Sequence, residues 1–186
     1  MRHTLTPVEP PFDPEIGDQL ARYPSSDGYI LSLFRTFANS SRFLRKGVPN
    51  LLDRHSPLSL RTREIIILRV TANRNCEYEW GVHVTYFADA ATLTPDEVTA
   101  TRISAPGSDV WTTQEQTLIR FLDELCLNSA PTPETLAQIQ GSWTAEQQLE
   151  ILALCGAYTT ISLVANTAGL APEGFAARFP SGPAQR

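Results

Sequence analysis

In the first third of the chain, apolar residues recur at near-helical intervals over residues 29–45, which predicts a helix there. Asp27 is its candidate N-cap, and Gly47 with Pro49 ends it. The apolar residues that set these intervals are Ile30, Leu33, Phe34, Phe37 and Phe43.

The next two apolar segments predict a helical hairpin. A start at Ser56-Pro57 or at Ser59 opens a helix over about residues 60–73, and a second helix runs from near Cys76 to about Ala91. Because only the short break at residues 73–75 separates them, we expect the two helices to pack antiparallel.

Capping residues predict four further helices. The first starts at Thr94-Pro95-Asp96-Glu97 and stops just before Pro106, and the second starts at Thr112 or Thr113 with Glu115 and ends at about Asn128. The third starts at Thr132-Pro133-Glu134 and ends at about Gly141. The fourth starts at Thr144-Ala145-Glu146-Gln147 and ends at Gly169. No segment alternates as a strand would. The pattern therefore predicts an all-α, single-domain helical bundle with a central hairpin over residues 27–172, preceded by a proline-rich arm (1–26) and followed by a tail (173–186).

Composition narrows the class of protein. A chain of 186 residues with 42% hydrophobic residues suits one globular domain and excludes global disorder. The formal charge is −5 and the basic residues are scattered, so no nucleic-acid partner is predicted. Three cysteines at wide spacing form no disulfide framework, and the N-terminus has no signal core, which together predict a cytoplasmic protein.

The last predicted helix is unusually apolar. Residues 151–172 carry no charge and are long enough to span a bilayer, but their polar residues favour a central or subunit-interface helix in a protein without a membrane span. We expect a homo-oligomer, a dimer, trimer or hexamer, whose interface includes this helix or the hairpin and buries well over ~1,000 Å². The apolar residues spread over several faces are Ile151, Leu152, Leu154, Tyr158, Ile161, Leu163 and Val164.

The candidate chemistry lies in the hairpin. Cys76, Glu79 and His83 fall at i, i+3 and i+7, so a helix places them on one stripe. In the first turn, the helix dipole should lower the pKa of the Cys76 thiol. Glu64, among isoleucines on the preceding helix, should lie opposite His83 and seek it as a partner.

These residues resemble the carboxymuconolactone decarboxylase and alkylhydroperoxidase D family. The likeness rests on Glu64, Cys76 twelve positions later and His83 seven further, within about residues 56–93. The resemblance implies an all-helical fold of the alkylhydroperoxidase D-like type, homo-oligomeric assembly and no cofactor. In the peroxidase branch it implies a Cys-x-x-Cys pair with glutamate and histidine as a proton relay.

The chain departs from that motif at one position, because Glu79 stands where the second cysteine would be. Cys126 and Cys155 lie among leucines in other predicted helices, so we interpret both as buried structural cysteines. A two-cysteine cycle through Cys76 therefore lacks its resolving thiol. A one-cysteine peroxidase and cofactor-independent decarboxylation both stay open.

The aromatic residues of the second hairpin helix and the other two histidines have no predicted catalytic role. Tyr78, Trp80, Tyr86 and Phe87 are predicted to pack, with one or two of them lining a substrate pocket. His3 and His55 have no ligand spacing, so we predict no metal site.

Three function classes follow. The first is a decarboxylase-like lyase or isomerase acting on a small carboxylic acid or lactone, with His83 as general acid/base, Glu64 orienting it, Cys76 as partner and Glu79 as a possible second acid/base. The second is a thiol peroxidase that uses Cys76 and an external thiol. The third is a non-catalytic binding or assembly member of the fold, favoured if these side chains are buried without a cavity.

Overall fold

The computed structural model describes residues 5–26 and 28–181, and within them it shows nine helices and one small sheet. The first half contains α1 (Pro14–Leu20), β1 (Ser25–Ser26), β2 (Tyr29–Ile30), α2 (Ser32–Phe37), α3 (Ser41–Lys46) and α4 (Leu60–Asn73). The second half contains α5 (Glu77–Phe87), α6 (Pro95–Ile103), α7 (Thr113–Asn128), α8 (Pro133–Ser142) and α9 (Ala145–Thr167). The all-α prediction is confirmed, with one exception: Ser25 pairs antiparallel with Ile30 in a two-residue ladder.

Helix α4 lies at the centre and packs against α5, α6, α7 and α9. Its middle, from Glu64 to Ala72, is buried all round. Arg69 is buried with it and is neutralised by Asp123 of α7 at 2.6 and 2.7 Å, while its Nη1 donates to the Thr101 carbonyl at 3.0 Å. A central helix without a solvent face explains its continuous apolar sequence.

The hairpin of α4 and α5 forms as predicted, because a tight turn joins the two helices. Asn75 takes a left-handed φ of 51°, a conformation that asparagine tolerates better than most residues. Cys76 then serves as the N-cap, with α5 starting at Glu77, so the second helix begins one residue later than expected.

The single helix predicted over residues 29–45 is wrong. The chain forms α2 and α3 there, because Ser40 caps α3 by accepting from the Phe43 N–H at 3.1 Å. The aromatic spacing arises from a ring cluster instead, since Phe37 packs against Phe34 and Phe43 at centroid distances of 6.2 and 5.1 Å. Asp27, the predicted cap, lies outside the described residues.

The predicted starts of three later helices are confirmed by capping boxes at Thr94 with Glu97, Thr112 with Glu115, and Thr144 with Gln147. In each box the threonine hydroxyl accepts from the N3 backbone, and the N3 side chain accepts from the threonine N–H. Helix α9 ends at Thr167, two residues before the expected Gly169.

Helix α9 has the length and apolar composition of a membrane span, alone among the described helices. One face of it instead packs on α4 with Ile151, Leu154, Tyr158 and Ile161 buried. The opposite face leaves Leu149 and Leu163 more than half exposed. Ile161 therefore belongs to the core of this chain.

The described part of the predicted tail packs along α5. The Ala177 N–H donates to Thr85 Oγ1 at 2.9 Å and the Phe179 N–H donates to Glu77 Oε1 at 2.8 Å. At Gly81 the backbone approaches so closely that an added Cβ would lie 2.1 Å from the Ala177 carbonyl oxygen. Glycine at position 81 thus allows this segment to cover the helix that carries His83.

Candidate active site

The first element of the site is a carboxylate and imidazole pair across the hairpin. Glu64 of α4 and His83 of α5 are both buried, and Glu64 Oε2 lies 2.8 Å from His83 Nδ1. A buried carboxylate with an opposite charge at this distance is compensated electrostatically. The structure therefore brings together the two residues that the sequence placed opposite each other.

The second element is Tyr158 of α9, whose hydroxyl lies 3.0 Å from His83 Nε2. Its ring meets the imidazole edge-on at a centroid distance of 5.1 Å, and Phe87 covers the ring at the same distance. From the sequence, Tyr158 was expected only as one of the apolar residues of the last helix. Its signal was the i, i+4 pair of hydroxyl residues, Tyr158 and Ser162, on a helix that is otherwise mostly apolar.

The third element is Glu79, four residues before His83 on α5. Its Oε1 lies 3.5 Å from His83 Nε2, so both nitrogens of one imidazole have a carboxylate close by. The other oxygen, Oε2, is buried and has no hydrogen-bond partner among the described residues. A buried acceptor left open in this way is suited to a donor group on a ligand.

The charges of Glu64 and Glu79 determine the protonation states of His83 and Tyr158. Burial alone would lower the pKa of His83, but the charges and hydrogen bonds of Glu64 and Glu79 outweigh it and raise the pKa to about 10. His83 is therefore an imidazolium at neutral pH, donating from Nδ1 to Glu64 and from Nε2 to Tyr158. Burial, followed by Glu79 and Glu64, raises the pKa of Tyr158 well above its ordinary value, so the phenol is neutral.

Cys76 lies at the same end of α5, fully buried. Cys76 is the N-cap residue of α5, and its side chain makes no capping hydrogen bond. The Glu79 backbone N–H and the Ser162 hydroxyl nearby nevertheless favour a thiolate. Burial is the larger effect and raises the pKa of the thiol, so the predicted lowering is wrong. Cys76, Glu79 and His83 do share one side of the helix start, as their spacing indicated.

The four aromatic residues named as pocket candidates have different surroundings. Tyr78 is buried and its hydroxyl donates to Glu173 at 2.6 Å, Phe87 covers His83, and Tyr86 is half-exposed against Phe175. Trp80 lines an open groove of about 370 Å³ beside α5, together with Val84, Leu93 and Val98. That groove has neither His83 nor Glu64 in its wall, so Trp80 contacts a different surface from the buried cluster.

Arg63 is a basic residue beside the cluster of Glu64, His83 and Tyr158. The positive charge of Arg63, next to Glu64 on α4, acts on the Tyr158 phenol. Its Nη1 donates to the Asp53 carbonyl at 2.8 Å, while its Nε is buried without a hydrogen bond among the described residues. No group of three His, Cys, Asp or Glu side chains within residues 5–26 and 28–181 is arranged to hold a metal ion.

Comparison with known protein families gives a match over the hairpin. The model of the carboxymuconolactone decarboxylase family matches residues 46–122, a range that contains Glu64, Cys76, Glu79 and His83. No curated protein sequence matches the chain significantly.

Solved structures share the fold over nearly the whole chain. An uncharacterised peroxidase-related protein from Silicibacter sp. TM1040 is 16% identical with a TM-score of 0.74, covering 94% of this chain and 96% of its own. The alkylhydroperoxidase AhpD core from Ralstonia eutropha JMP134, described as peroxidase-related, is 16% identical with a TM-score of 0.70, covering 93% and 95%. The debrominase Bmp8 is 14% identical with a TM-score of 0.72, covering 94% and 95%. Residues 46–122 therefore match the carboxymuconolactone decarboxylase family model, and the chain has the all-helical fold of the alkylhydroperoxidase D-like proteins.

Proposed function

We propose that this chain is a cofactor-independent enzyme of the carboxymuconolactone decarboxylase type, in which His83 exchanges a proton with a small carboxylic acid or lactone. The observation that carries the proposal is the buried imidazole of His83, held between Glu64 at 2.8 Å and Tyr158 at 3.0 Å. Such an arrangement keeps one proton mobile along a fixed line of atoms.

The reaction that suits the hydrogen-bonded side chains of Glu64, His83 and Tyr158 is protonation of a carbanion or enolate. When carbon dioxide leaves, the electron pair of the broken bond stays on the neighbouring carbon, which must then gain a proton. Tyr158 gives its hydroxyl proton to that carbon while it takes one from His83 Nε2, and His83 later regains a proton from water. Glu64 holds the imidazole in place and stabilises its charge throughout.

Two further residues are suited to hold the substrate. Arg63 has a buried, unpartnered Nε near Tyr158, which could donate to a substrate carboxylate. Glu79 Oε2 is a buried acceptor without a partner, which could take a hydroxyl or acid proton of the substrate. A structural neighbour gives indirect support for a small ring compound, since a cysteine-to-alanine variant of Bmp8 was solved with 2,3,4-tribromopyrrole.

The test is carbon dioxide release from a panel of small β-keto acids and lactone carboxylic acids. We expect at least one substrate to turn over, with His83→Gln and Glu64→Gln each slowing the reaction by about 10²- to 10⁴-fold. His55→Gln, in an exposed loop, is the matched control and should keep full activity. Inertness toward the whole panel, or full activity of His83→Gln, would contradict the proposal.

A second candidate is a one-cysteine thiol peroxidase. It is favoured by the position of Cys76 as the N-cap residue of α5, where the positive end of the helix dipole favours a thiolate. Because burial raises the pKa of Cys76, we expect slow oxidation unless the site opens. Dimedone labelling after peroxide treatment tests it, and unlabelled Cys76 under excess peroxide would exclude this route.

The third candidate is a non-catalytic binding or assembly protein, which the burial of Glu64, Cys76 and His83 favours. The same assays distinguish it. A protein that folds and assembles, yet neither turns over the panel nor reacts at Cys76, would belong to this class.

A further inference from the structure

The two cysteines outside the hairpin lie next to each other. Cys126 near the end of α7 and Cys155 in α9 are 29 residues apart in sequence, yet the Cys155 thiol donates a hydrogen bond to the Cys126 sulfur. Cys155 is buried as predicted, whereas Cys126 is only half-buried. The structure describes both as free thiols.

Contacts one helical turn away hold the pair in place at the C-terminal end of α4. Asn73 Nδ2 donates to Asp123 Oδ1 at 2.8 Å, one turn before Cys126. Arg74 Nε donates to Thr159 Oγ1 at 3.4 Å, one turn after Cys155. Asn73, the last residue of α4, and its C-cap Arg74 thus hold α7 and α9 beside the thiols.

The same residues determine which sulfur is more acidic. The hydrogen bond from Cys155, the positive charge of Arg74 and the Asn73 amide together lower the pKa of Cys126, although burial acts in the opposite direction. Cys126 and burial raise the pKa of the Cys155 thiol. A thiolate and a neighbouring thiol are the two components that disulfide formation needs.

The pair is also close to solvent. Cys126 is half-buried, and the next residue, Leu127, is 83% exposed. Cys155 is buried behind it, with Leu152 exposed on the preceding turn. Cys126 is therefore the sulfur that a small oxidant reaches first, whereas Cys76 is buried in the core.

We infer that Cys126 and Cys155 form a second reactive site, a dithiol that a hydroperoxide oxidises reversibly to a disulfide. The Cys126 thiolate attacks the peroxide, the O–O bond breaks, and with one proton from water the products are a Cys126 sulfenic acid and an alcohol. Cys155 then attacks the Cys126 sulfur, forming the S–S bond and releasing water. An external dithiol returns both cysteines to thiols.

This inference is independent of the proposed function, since it uses neither His83 nor Cys76. The experiment treats the whole protein, in its native assembly, with stoichiometric hydrogen peroxide and then digests it with a protease that cuts after glutamate. Cuts after Glu124, Glu134, Glu150 and Glu173 separate the two cysteines into residues 125–134 and 151–173. We expect these peptides to be joined by a disulfide that dithiothreitol removes.

Variants separate the roles of the two sulfurs. Cys126→Ser should lose the disulfide and react with peroxide about tenfold more slowly or worse, whereas Cys155→Ser should accumulate a dimedone-labelled Cys126. Cys76→Ser is the matched control and should form the disulfide at the normal rate. Helical circular dichroism identifies any variant that fails to fold, and the wild-type digest decides the question without variants. Free thiols at both positions after peroxide treatment, or equal labelling of Cys126 and Cys76, would overturn the inference.

Discussion

The hydroxyl of Tyr158 lies 3.0 Å from His83 Nε2, although 75 residues separate them in the chain. This contact joins α9 to the hairpin of α4 and α5 and completes a line of three buried polar groups. It also extends the site beyond residues 46–122, the range that the family model matches.

Removing the Tyr158 hydroxyl should affect proton transfer more than folding. We expect Tyr158→Phe to slow turnover of any active substrate by about 10²-fold while changing the free energy of unfolding by only about 1 kcal/mol. Steady-state kinetics and urea denaturation measure the two effects. Tyr86→Phe, at an exposed ring, is the control, and equal losses of activity in both variants would contradict a role for Tyr158 in the relay.

The charge of His83 should make stability depend on pH. Its pKa is about 10 in the folded protein against an ordinary value of 6.5, so the folded state binds this proton more tightly. This difference stabilises the folded protein fully below pH 6.5, and the stabilisation is lost as the pH rises through about 10. Thermal melts across that window should show a fall in Tm for the wild type that is smaller in His83→Gln. Parallel pH profiles for the two proteins would show that His83 is not the group responsible.

Gly81 should not tolerate a side chain. In Gly81→Ala the new Cβ would meet the Ala177 carbonyl oxygen at 2.1 Å, so the segment over α5 must move. We expect a loss of about 2 kcal/mol in the free energy of unfolding. Gly141→Ala, in α8 with open space around it, should be neutral or stabilising by up to about 1 kcal/mol. Urea denaturation measures the free energy of unfolding of both variants. Equal stability of the two would show that the segment around Ala177 moves away without cost.

Asp123 should be needed to neutralise Arg69 inside the bundle. Asp123→Ala leaves a buried guanidinium without its carboxylate, and we expect a loss of about 3 kcal/mol or more. Glu15→Ala removes the exposed partner of Arg45 and should cost less than about 1 kcal/mol. Chemical denaturation compares the two, and similar small losses would mean that water or another acceptor replaces Asp123.

The exposed leucines of α9 should mediate self-association. Leu149 and Leu163 are 69% and 61% exposed on the face of α9 opposite the core, and we propose that a second copy of the chain covers them. Sedimentation equilibrium should show a homo-oligomer for the wild type and a smaller species for Leu163→Glu, with the helical content unchanged. A wild-type species at the 20.6 kDa chain mass would refute the oligomer.

Local patterns in the sequence predicted most of the fold. The starts at Thr94, Thr112 and Thr144 follow from capping chemistry within four residues, which needs no tertiary contact. The pairing of Glu64 with His83 also followed from the sequence, because the short turn between α4 and α5 leaves few ways to fold the hairpin.

Residues far apart in the chain carry no comparable signal. The contacts of Tyr158 with His83 and of Cys155 with Cys126 depend on where α9 packs against α4 and α7, and helical spacing says nothing about distances between separate helices. The acidity of Cys76 was mispredicted for the same reason. The helix start that favours a thiolate is a local feature, but the burial that outweighs it exists only once the other helices surround the sulfur.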